Sequence, residues 1–408
     1  MFNEKILCEF AKLVLKIGVN LQKGQGLEIA CPTEKAEVAH VLAETAYKMG
    51  AKIVKVRWED EITDKINYLH ASESALTDIP KWLVASKNYI VEKGFCYVAI
   101  SAENPSAFKD VPTTKLAAVA KAKSRALKKF SDAVMANDIR WCIASVPTKD
   151  WAKHVYGDRP DAETLLTRAI EKTMRLDAED PVAVWEEHIH TLEQRAAFMN
   201  MQAFEYIHFK NSIGTDLKVG LAEDNIWLSA RERAADGLDF IANIPTEEVF
   251  TAPHRLKTEG VVKSSMPLSY NGQIIENFSI LFKKGKACDF YAEKGFDVLK
   301  HLIKTDKGTP YLGEVALIGK SSPVAETGTL FYNTLFDENA SCHLAFGKAY
   351  PTTVRNGNAL SPKELAQKGV NESVEHVDFM IGTPDLSVTG IKKDGSEIPI
   401  FTDGEWCI

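Results

Sequence analysis

The chain has 408 residues, of which 45% are hydrophobic and 26% charged, and its formal net charge is −7. This length exceeds the size at which a single core stops growing, so the sequence predicts two or three domains. The acidic balance argues against a nucleic-acid or anionic-membrane partner, and no charge-free apolar run approaches the ~20 residues of a membrane span.

The N-terminus and the cysteines bear on the compartment. Residues 1–18 place charged residues among apolar ones at helical spacing, which indicates an amphipathic helix and not a signal peptide. The seven cysteines are scattered and form no CxxC pair, so neither a disulfide framework nor a thiolate zinc site is indicated. We therefore expect a cytoplasmic protein. Cys342 is interpreted as a buried spectator and not as a nucleophile.

The first part of the chain alternates between strand and helix signals. The segments LEIACP, TEKAEVAHVLAETAYKMG and AKIVKVRW read as a βαβ unit, with Thr33 as N-cap and Gly50 as C-cap. GFCYVAIS, a long helix over 112–137 and IRWCIASVP repeat the pattern, which predicts a largely parallel α/β domain. No GxGxxG opens a helix, so a dinucleotide role is excluded.

Residues 151–201 keep a helical pattern, with Pro160 and Pro181 as breaks. His188 and His190 lie here, but positions i and i+2 of a helix are about 200° apart, so the two imidazoles do not chelate one ion. No metal site is predicted in this segment.

After about Phe204 the pattern changes to short alternating segments separated by turn signals, including the hairpin signal Asn271-Gly272. The predicted fold class is α/β plus mainly-β: an N-terminal parallel α/β domain, 1–195, followed by a mixed or antiparallel β-rich domain, 196–408. The chain lacks a P-loop, HExxH and GxSxG, which disfavours a P-loop enzyme, a thermolysin-like protease and an α/β-hydrolase.

Candidate metal ligands concentrate in the second half. His376 and Asp378 are two positions apart in a predicted strand, so they share a face and form half a metal site. A polar surface strand explains His-x-Asp equally well. Glu248 and Glu314 lie in apolar runs, where a carboxylate is costly unless it is paired in a salt bridge or bound to metal. The residues by themselves leave both explanations open.

The segments IPTEEVFTAP, YLGEVAL, LFDENASCHLAFGKAY and EHVDFMIG occur in this order. They strongly resemble the thermophilic-type metallo-aminopeptidases, the family of aminopeptidase T, aminopeptidase S and PepS, and the resemblance covers nearly the whole chain. It implies a homodimer whose C-terminal part carries a dinuclear metal site. It also implies a catalytic tyrosine at Tyr350 and metal ligands at Glu248, Glu314, His343, His376 and Asp378.

The chemistry of these residues agrees with that expectation. Five side chains are enough for two ions ~3.5–4 Å apart that share a bridging carboxylate and a bridging water. Two divalent ions, three carboxylates and one hydroxide balance to zero charge. Carboxylate and imidazole ligands together suit zinc, cobalt or manganese.

The predicted function is metal-dependent aminopeptidase action on peptides with a free N-terminus, through a water that bridges the two ions. Tyr350 would donate a hydrogen bond to the developing oxyanion. Glu247 or Glu338 would shuttle a proton, hold a ligand or bind the substrate's α-amino group. The α/β domain is expected to wall the cleft and aid dimerisation.

Two alternatives belong to other classes. One is a dinuclear hydrolase of another bond, such as a phosphoester or an acylated amine, which uses the same ligand types. The other is a non-catalytic metal-binding homologue, against which the presence of Tyr350 counts.

Overall fold

The computed structural model describes residues 2–102, 104, 107–108, 110–270 and 273–408. The chain divides into two compact units, Met1–Glu187 with Arg231–Pro245, and His188–Ala230 with Thr246–Ile408. Among the described residues, no helix combines the length and apolar character that crossing a membrane requires.

The helices are concentrated in the first half of the chain. They are α1 Glu4–Leu13, α2 Ala36–Lys48, α3 Glu61–His70, α4 Glu73–Thr77, α5 Lys81–Glu92, α6 Thr113–Ala126, α7 Lys128–Met135, α8 Lys149–Tyr156, α9 Ala162–Thr173, α10 Pro181–Gln202, α11 Phe296–Ile303, α12 Pro323–Glu326, α13 Thr334–Asp337 and α14 Pro362–Gln367.

The strands dominate the second half. They are β1 Gly26–Pro32, β2 Ile53–Glu59, β3 Cys96–Ser101, β4 Trp141–Ser145, β5 Tyr206–Lys210, β6 Asp216–Leu221, β7 Arg231–Arg233, β8 Asp239–Ile241, β9 Asn243–Ile244, β10 Val249–Thr251, β11 Pro253–Lys263, β12 Leu268–Tyr270, β13 Gln273–Lys283, β14 Lys286–Lys294, β15 Leu312–Leu317, β16 His343–Gly347, β17 His376–Met380, β18 Ser387–Ile391, β19 Glu397–Thr402 and β20 Glu405–Trp406.

The first unit is built on a five-stranded sheet in the order β2-β1-β3-β4-β9. All of its neighbouring strands pair in parallel, which confirms the α/β prediction for this part of the chain. β1, β3 and β4 are largely buried, as expected where helices cover both faces of a parallel sheet. β7 and β8 form a separate antiparallel pair.

Two helix predictions in this unit were wrong in detail. The helix expected over 112–137 divides into α6 and α7 at Leu127 (φ −97°, ψ 12°). Arg125, Lys128 and Lys129 lie at the break, and like charges three or four positions apart disfavour a continuous helix. Thr33 opens a single 3₁₀ turn, so α2 begins three residues later, whereas Gly50 follows the C-cap at φ +93° as expected.

The second unit contains a nine-stranded sheet in the order β12-β13-β11-β6-β5-β18-β19-β20, with β14 also on β13. Its described pairings are antiparallel, which confirms the mainly-β prediction. The hairpin signal Asn271-Gly272 lies outside the described residues. NIWLSARE, read as an alternating segment, forms isolated bridges at Asn225 and Leu228 before β7, because its backbone pairs with single residues on separate segments.

A second, four-stranded sheet has the order β10-β15-β16-β17 and is also antiparallel. One of its faces is apolar: Phe346 stacks on Phe379 with ring centroids 4.7 Å apart, and Phe278 of the larger sheet contacts Phe379 at 5.7 Å. Aromatic packing beneath this sheet therefore fixes the strands whose opposite face carries the predicted ligands.

Candidate metal centre

Cross-strand register brings the predicted ligands to one face of the four-stranded sheet. Ala345 of β16 pairs with Glu314 of β15 on one side and with Asp378 of β17 on the other. Residues directly opposite each other on paired strands point the same way. The small side chain of Ala345 thus separates two carboxylates and leaves space between them.

The two histidines lie on the same face, and each is oriented by a backbone carbonyl. The Nδ1 of His343 is 3.3 Å from the carbonyl oxygen of Ser341, and the Nδ1 of His376 is 2.7 Å from that of Lys348. A carbonyl oxygen only accepts, so Nδ1 carries the proton in both rings. The Nε2 lone pairs are therefore directed away from these carbonyls and toward the carboxylates.

Glu314 is the centre of the cluster. Its Oε1 lies 3.4 Å from the Nε2 of His343, and its Oε2 lies 3.7 Å from the Nε2 of His376. The Nε2 of His343 is also 3.6 Å from Glu248, and that of His376 is 3.3 Å from Asp378. Two three-residue groups result in which the possible ligand atoms all lie within 4.8 Å of one another, and both include Glu314: Glu248–Glu314–His343 and Glu314–His376–Asp378.

The donor set fits divalent ions. Asp378 Oδ1 is buried and has no hydrogen-bond partner within the described part of the chain. The Nε2 of His376 lies 3.3 Å from it. Burial would lower the pKa of His376, but the charge of Asp378 raises it to about 10, so the ring holds a proton when no cation is present, whereas a neutral ring would present a lone pair to Asp378. Two lone-pair donors that converge in this way require either extra protons or a cation between them. Oxygen and nitrogen ligands without thiolate favour zinc, cobalt or manganese.

The pKa shifts within the cluster also indicate that it needs compensating positive charge. Burial, followed by the neighbouring Glu314 carboxylate, raises the pKa of Glu248 to about 8. Burial, followed by the charges of Asp378 and Glu248, raises the pKa of Glu338 well above its usual range. Burial would lower the pKa of His343, but the hydrogen bond with Glu314 and the surrounding carboxylates raise it to about 10. Without a cation, the cluster holds protons instead.

Glu247 and Glu248 are neighbours with different surroundings. The Oε2 of Glu247 lies 3.5 Å from the Nε2 of His188, whereas Glu248 faces His343. The backbone N–H of Glu247 donates to the Oδ1 of Asn339 at 2.7 Å, which ties this segment to the turn that contains Glu338. Both carboxylates follow β9 and precede β10, so they lie between strands and not within one.

Tyr350 lies beside His376, with ring centroids 4.8 Å apart. Burial and then the charges of Glu314 and Asp378 raise its pKa above the usual range. The hydroxyl is therefore neutral and able to donate a hydrogen bond. Cys342 is buried next to His343, and burial raises the pKa of its thiol to about 12, which agrees with the interpretation of a spectator.

A bulge in β15 brings Glu314 into register. The pairing of β15 with β16 shifts between Leu312 and Glu314, and Gly313 occupies the shift. A Cβ on Gly313 would lie 2.3 Å from the carbonyl oxygen of Lys348, so only glycine allows this approach. The glycine before Glu314 thus has a structural role in placing the ligand.

Some contributing residues give no sequence signal of their function. Ser341 and Lys348 act through backbone carbonyls, and Ala345 acts through its small size. Asp306 accepts hydrogen bonds from the backbone N–H of Val374 and the hydroxyl of Ser373, so it fixes the segment that leads into β17. Nothing in the local sequence around Asp306 or around Ser373 and Val374 indicates that these segments bond to each other, because they are more than sixty residues apart.

Oxygen and nitrogen donors that could hold metal ions, grouped about a shared carboxylate beside a neutral tyrosine, are typical of a metal-dependent hydrolase. The thermophilic metalloprotease (M29) family model matches residues 3–406, and the chain belongs to this family.

Three named aminopeptidases match the chain over nearly its full length. The chain is 42% identical over 405 residues to aminopeptidase 2 from Geobacillus stearothermophilus, covering 99% of this chain and 98% of that protein. It is 40% identical over 403 residues to aminopeptidase PepS from Streptococcus thermophilus, covering 98% and 97%. The solved structure of AmpT from Thermus thermophilus superposes with a TM-score of 0.93 at 37% identity, covering 99% of this chain and 100% of that one. The resemblance noted from the sequence motifs is confirmed.

Proposed function

We propose that the chain is a metallo-aminopeptidase that removes the N-terminal residue from peptides. The observation that carries this proposal is Glu314, whose two oxygens face different imidazole nitrogens at 3.4 and 3.7 Å. Family membership supports the same conclusion, and the names of the relatives do not favour hydrolysis of another bond or a non-catalytic role.

The ligand set we propose has five members. The Nε2 atoms of the two histidines and the oxygens of the three carboxylates would hold the ions: His343, His376, Glu248, Glu314 and Asp378. Bound divalent ions would supply a Lewis acid for the scissile carbonyl and would lower the pKa of water. Two ions, of zinc, cobalt or manganese, are supported by the two groups that share Glu314.

Three further residues would take part around the ligands. The neutral hydroxyl of Tyr350 would donate a hydrogen bond to the oxyanion that forms at the scissile carbonyl. Glu338, which lies among the ligand carboxylates, would accept a proton at its carboxylate and pass it to the leaving amine. Glu247 would keep Glu248 in place, because its backbone N–H is fixed to Asn339.

The assay that tests this function uses a short peptide with a free amine, its N-acetylated twin, and enzyme before and after chelation. We expect release of the first residue from the free-amine peptide, loss of this activity on chelation, and recovery on addition of one of the three metals. Metal analysis should give two ions for each chain. Cleavage that persists in excess chelator would contradict the proposal.

The finer expectations are part of the same proposal. A cytoplasmic location is in keeping with the free cysteines of the chain, and the homodimer is proposed from the family resemblance. Light scattering of the purified protein measures the oligomeric state directly, and a mass equal to one chain would contradict the homodimer. A wall of the cleft formed by the N-terminal α/β unit stays a prediction.

A further inference from the structure

An apolar cavity of about 460 Å³ lies in the second unit, close to the strands that carry the ligands. Lys320 is a charged residue in the wall of this cavity, and none of the described wall residues carries a carboxylate. The wall is formed mainly by hydrophobic side chains, among them Met266, Ile318, Val324, Leu330 and Leu386.

The cavity lies next to the ends of the strands that carry the predicted ligands. Ile318 and Gly382 belong to the cavity wall and lie just past the ends of β15 and β17, the strands that carry Glu314 and Asp378. The backbone N–H of Gly382 donates to the carbonyl of Cys342 at 3.0 Å, which shows that the two strands remain adjacent there. The cavity therefore lies beyond the C-terminal ends of the two strands that carry Glu314 and Asp378.

Ser341 connects the cavity directly to a ligand. It belongs to the cavity wall, and its carbonyl oxygen accepts the Nδ1 proton of His343. Two residues of strand separate their Cα atoms by about 7 Å. Gly382 keeps the wall open here, because a Cβ at this position would come within 2.7 Å of the Cβ of Ser341.

A smaller cavity joins the same region to Asp378. Its volume is about 90 Å³, and its wall includes Asp378 and Met380. Leu330 belongs to the walls of both cavities. The apolar cavity and the space beside Asp378 therefore meet at the side chain of Leu330.

We propose that the apolar cavity is the specificity pocket for the side chain of the substrate's N-terminal residue. This inference rests on the proposed aminopeptidase function and adds the class of substrate. In a peptide held for attack, the side chain of the first residue branches one atom from the scissile carbonyl. A pocket that begins one or two residues along the strand from His343 is placed to receive it.

The chemistry of the wall sets the preference. Large apolar side chains such as those of leucine, methionine and phenylalanine would fill the pocket and remove their apolar surface from water. Glycine leaves it empty. Lysine and arginine side chains would enter without a partner carboxylate, because the described wall offers Lys320 and no acidic group. The enzyme should therefore favour peptides that begin with a large apolar residue.

The test compares kcat/KM of the metal-loaded enzyme for peptides that differ only in their first residue: glycine, alanine, leucine, phenylalanine, lysine and glutamate. Leucine and phenylalanine peptides should exceed the glycine peptide by about tenfold or more. Ala325→Phe, which fills the pocket from α12, should reduce the leucine and phenylalanine values about tenfold and leave the alanine value nearly unchanged.

Glu326→Phe is the matched control, since it adds the same bulk one position along at an exposed residue outside the cavity wall. It should leave the preference unchanged. Leu330→Ala gives a second measurement if Ala325→Phe does not fold, and it should raise the ratio of the phenylalanine value to the alanine value. Equal losses for all peptides, or a wild-type enzyme indifferent to the first side chain, would overturn the pocket while leaving the aminopeptidase intact. Release of no first residue from any peptide would instead overturn the proposed function.

Discussion

Glu314 shows how one residue organises the centre. It is 5% exposed, and each of its oxygens faces a different histidine. A buried carboxylate so placed is stable only with compensating positive charge, whether as protons on the histidines or as cations. Because the same side chain belongs to both ligand groups, its loss should affect both metal positions at once.

Glu314→Gln keeps the volume of the side chain and removes its charge. We expect metal content to fall and turnover to drop below about a tenth of wild type, because a residue that would bind the metal directly is lost, while the fold survives. Metal analysis, the peptide assay and the melting temperature measure the three effects. Glu375→Gln is the control, because its amide oxygen still accepts from Tyr270. A variant that keeps both metals and most activity would remove Glu314 from the ligand set.

Tyr350→Phe separates metal binding from chemistry. The ring that lies beside His376 remains, and only the hydroxyl is lost. We expect metal content to stay at the wild-type level and kcat to fall about 10²–10³-fold, the usual effect of removing one oxyanion donor. Tyr311→Phe, whose ring packs on Arg255, should change neither quantity. A rise in KM at constant kcat would show that Tyr350 only positions substrate.

At the scale of elements, the sequence predicts the strands of the centre better than their pairing. The alternation in EHVDFMIG predicts β17 and the common face of His376 and Asp378, and the structure confirms both. The order β10-β15-β16-β17 joins segments far apart in sequence, and local periodicity carries no information on such pairing. Ala345 therefore has no visible role until Glu314 and Asp378 are seen on either side of it.

Ala345→Leu tests that role. A leucine at this position would fill the space between Glu314 and Asp378, and Ala345 is fully buried. We expect loss of metal and of activity, with a cost of about 1–3 kcal/mol in the free energy of unfolding from overpacking. Metal analysis and denaturant unfolding measure the two effects.

Leu344→Met changes the next residue of β16, which points to the opposite face of the sheet and pairs with Phe379. This swap nearly conserves volume, so metal binding should persist and the unfolding free energy should fall by less than about 1.5 kcal/mol. If Ala345→Leu kept its full metal content, the space above Ala345 would not be the metal position.

At the scale of the whole molecule, composition and alternation predict a parallel α/β part and a mainly-β part, because these two patterns differ in period and in burial. They do not predict that β9 would pair with β4 about a hundred residues earlier in the chain, since a two-residue strand has no periodicity of its own. The motifs that contain several predicted ligands are the most informative parts of the sequence about function, because both chemistry and packing restrict which residues can stand there.

Metal removal should reduce the stability of the whole fold. Ions that bind the folded chain and not the unfolded one stabilise it by mass action. Once they leave, half-buried carboxylates such as Glu248 and Glu338 remain close together and must take up protons to relieve their repulsion. We expect chelation to lower the melting temperature and re-addition of metal to restore it. An unchanged melting temperature after verified removal of metal would contradict a centre inside the fold.

The burial of the centre restricts which peptides the enzyme accepts and from which end it cleaves them. His343 is 1% exposed and Glu314 is 5% exposed, so a scissile bond reaches the ligands only on an extended segment that enters the site. The carboxylates around the centre favour a charged amine at the end of that segment. N-acetylation removes this charge, and a compact fold holds its first residues away from an extended conformation.

We therefore expect an unfolded free-amine peptide to be shortened from its N-terminus, its acetylated twin to be inert, and a compact folded protein to resist digestion even with a free N-terminus. Mass spectrometry of the three incubations distinguishes the outcomes, with chelated enzyme as the blank. Internal cleavage of the acetylated peptide would contradict the exopeptidase assignment and leave the metal centre in place.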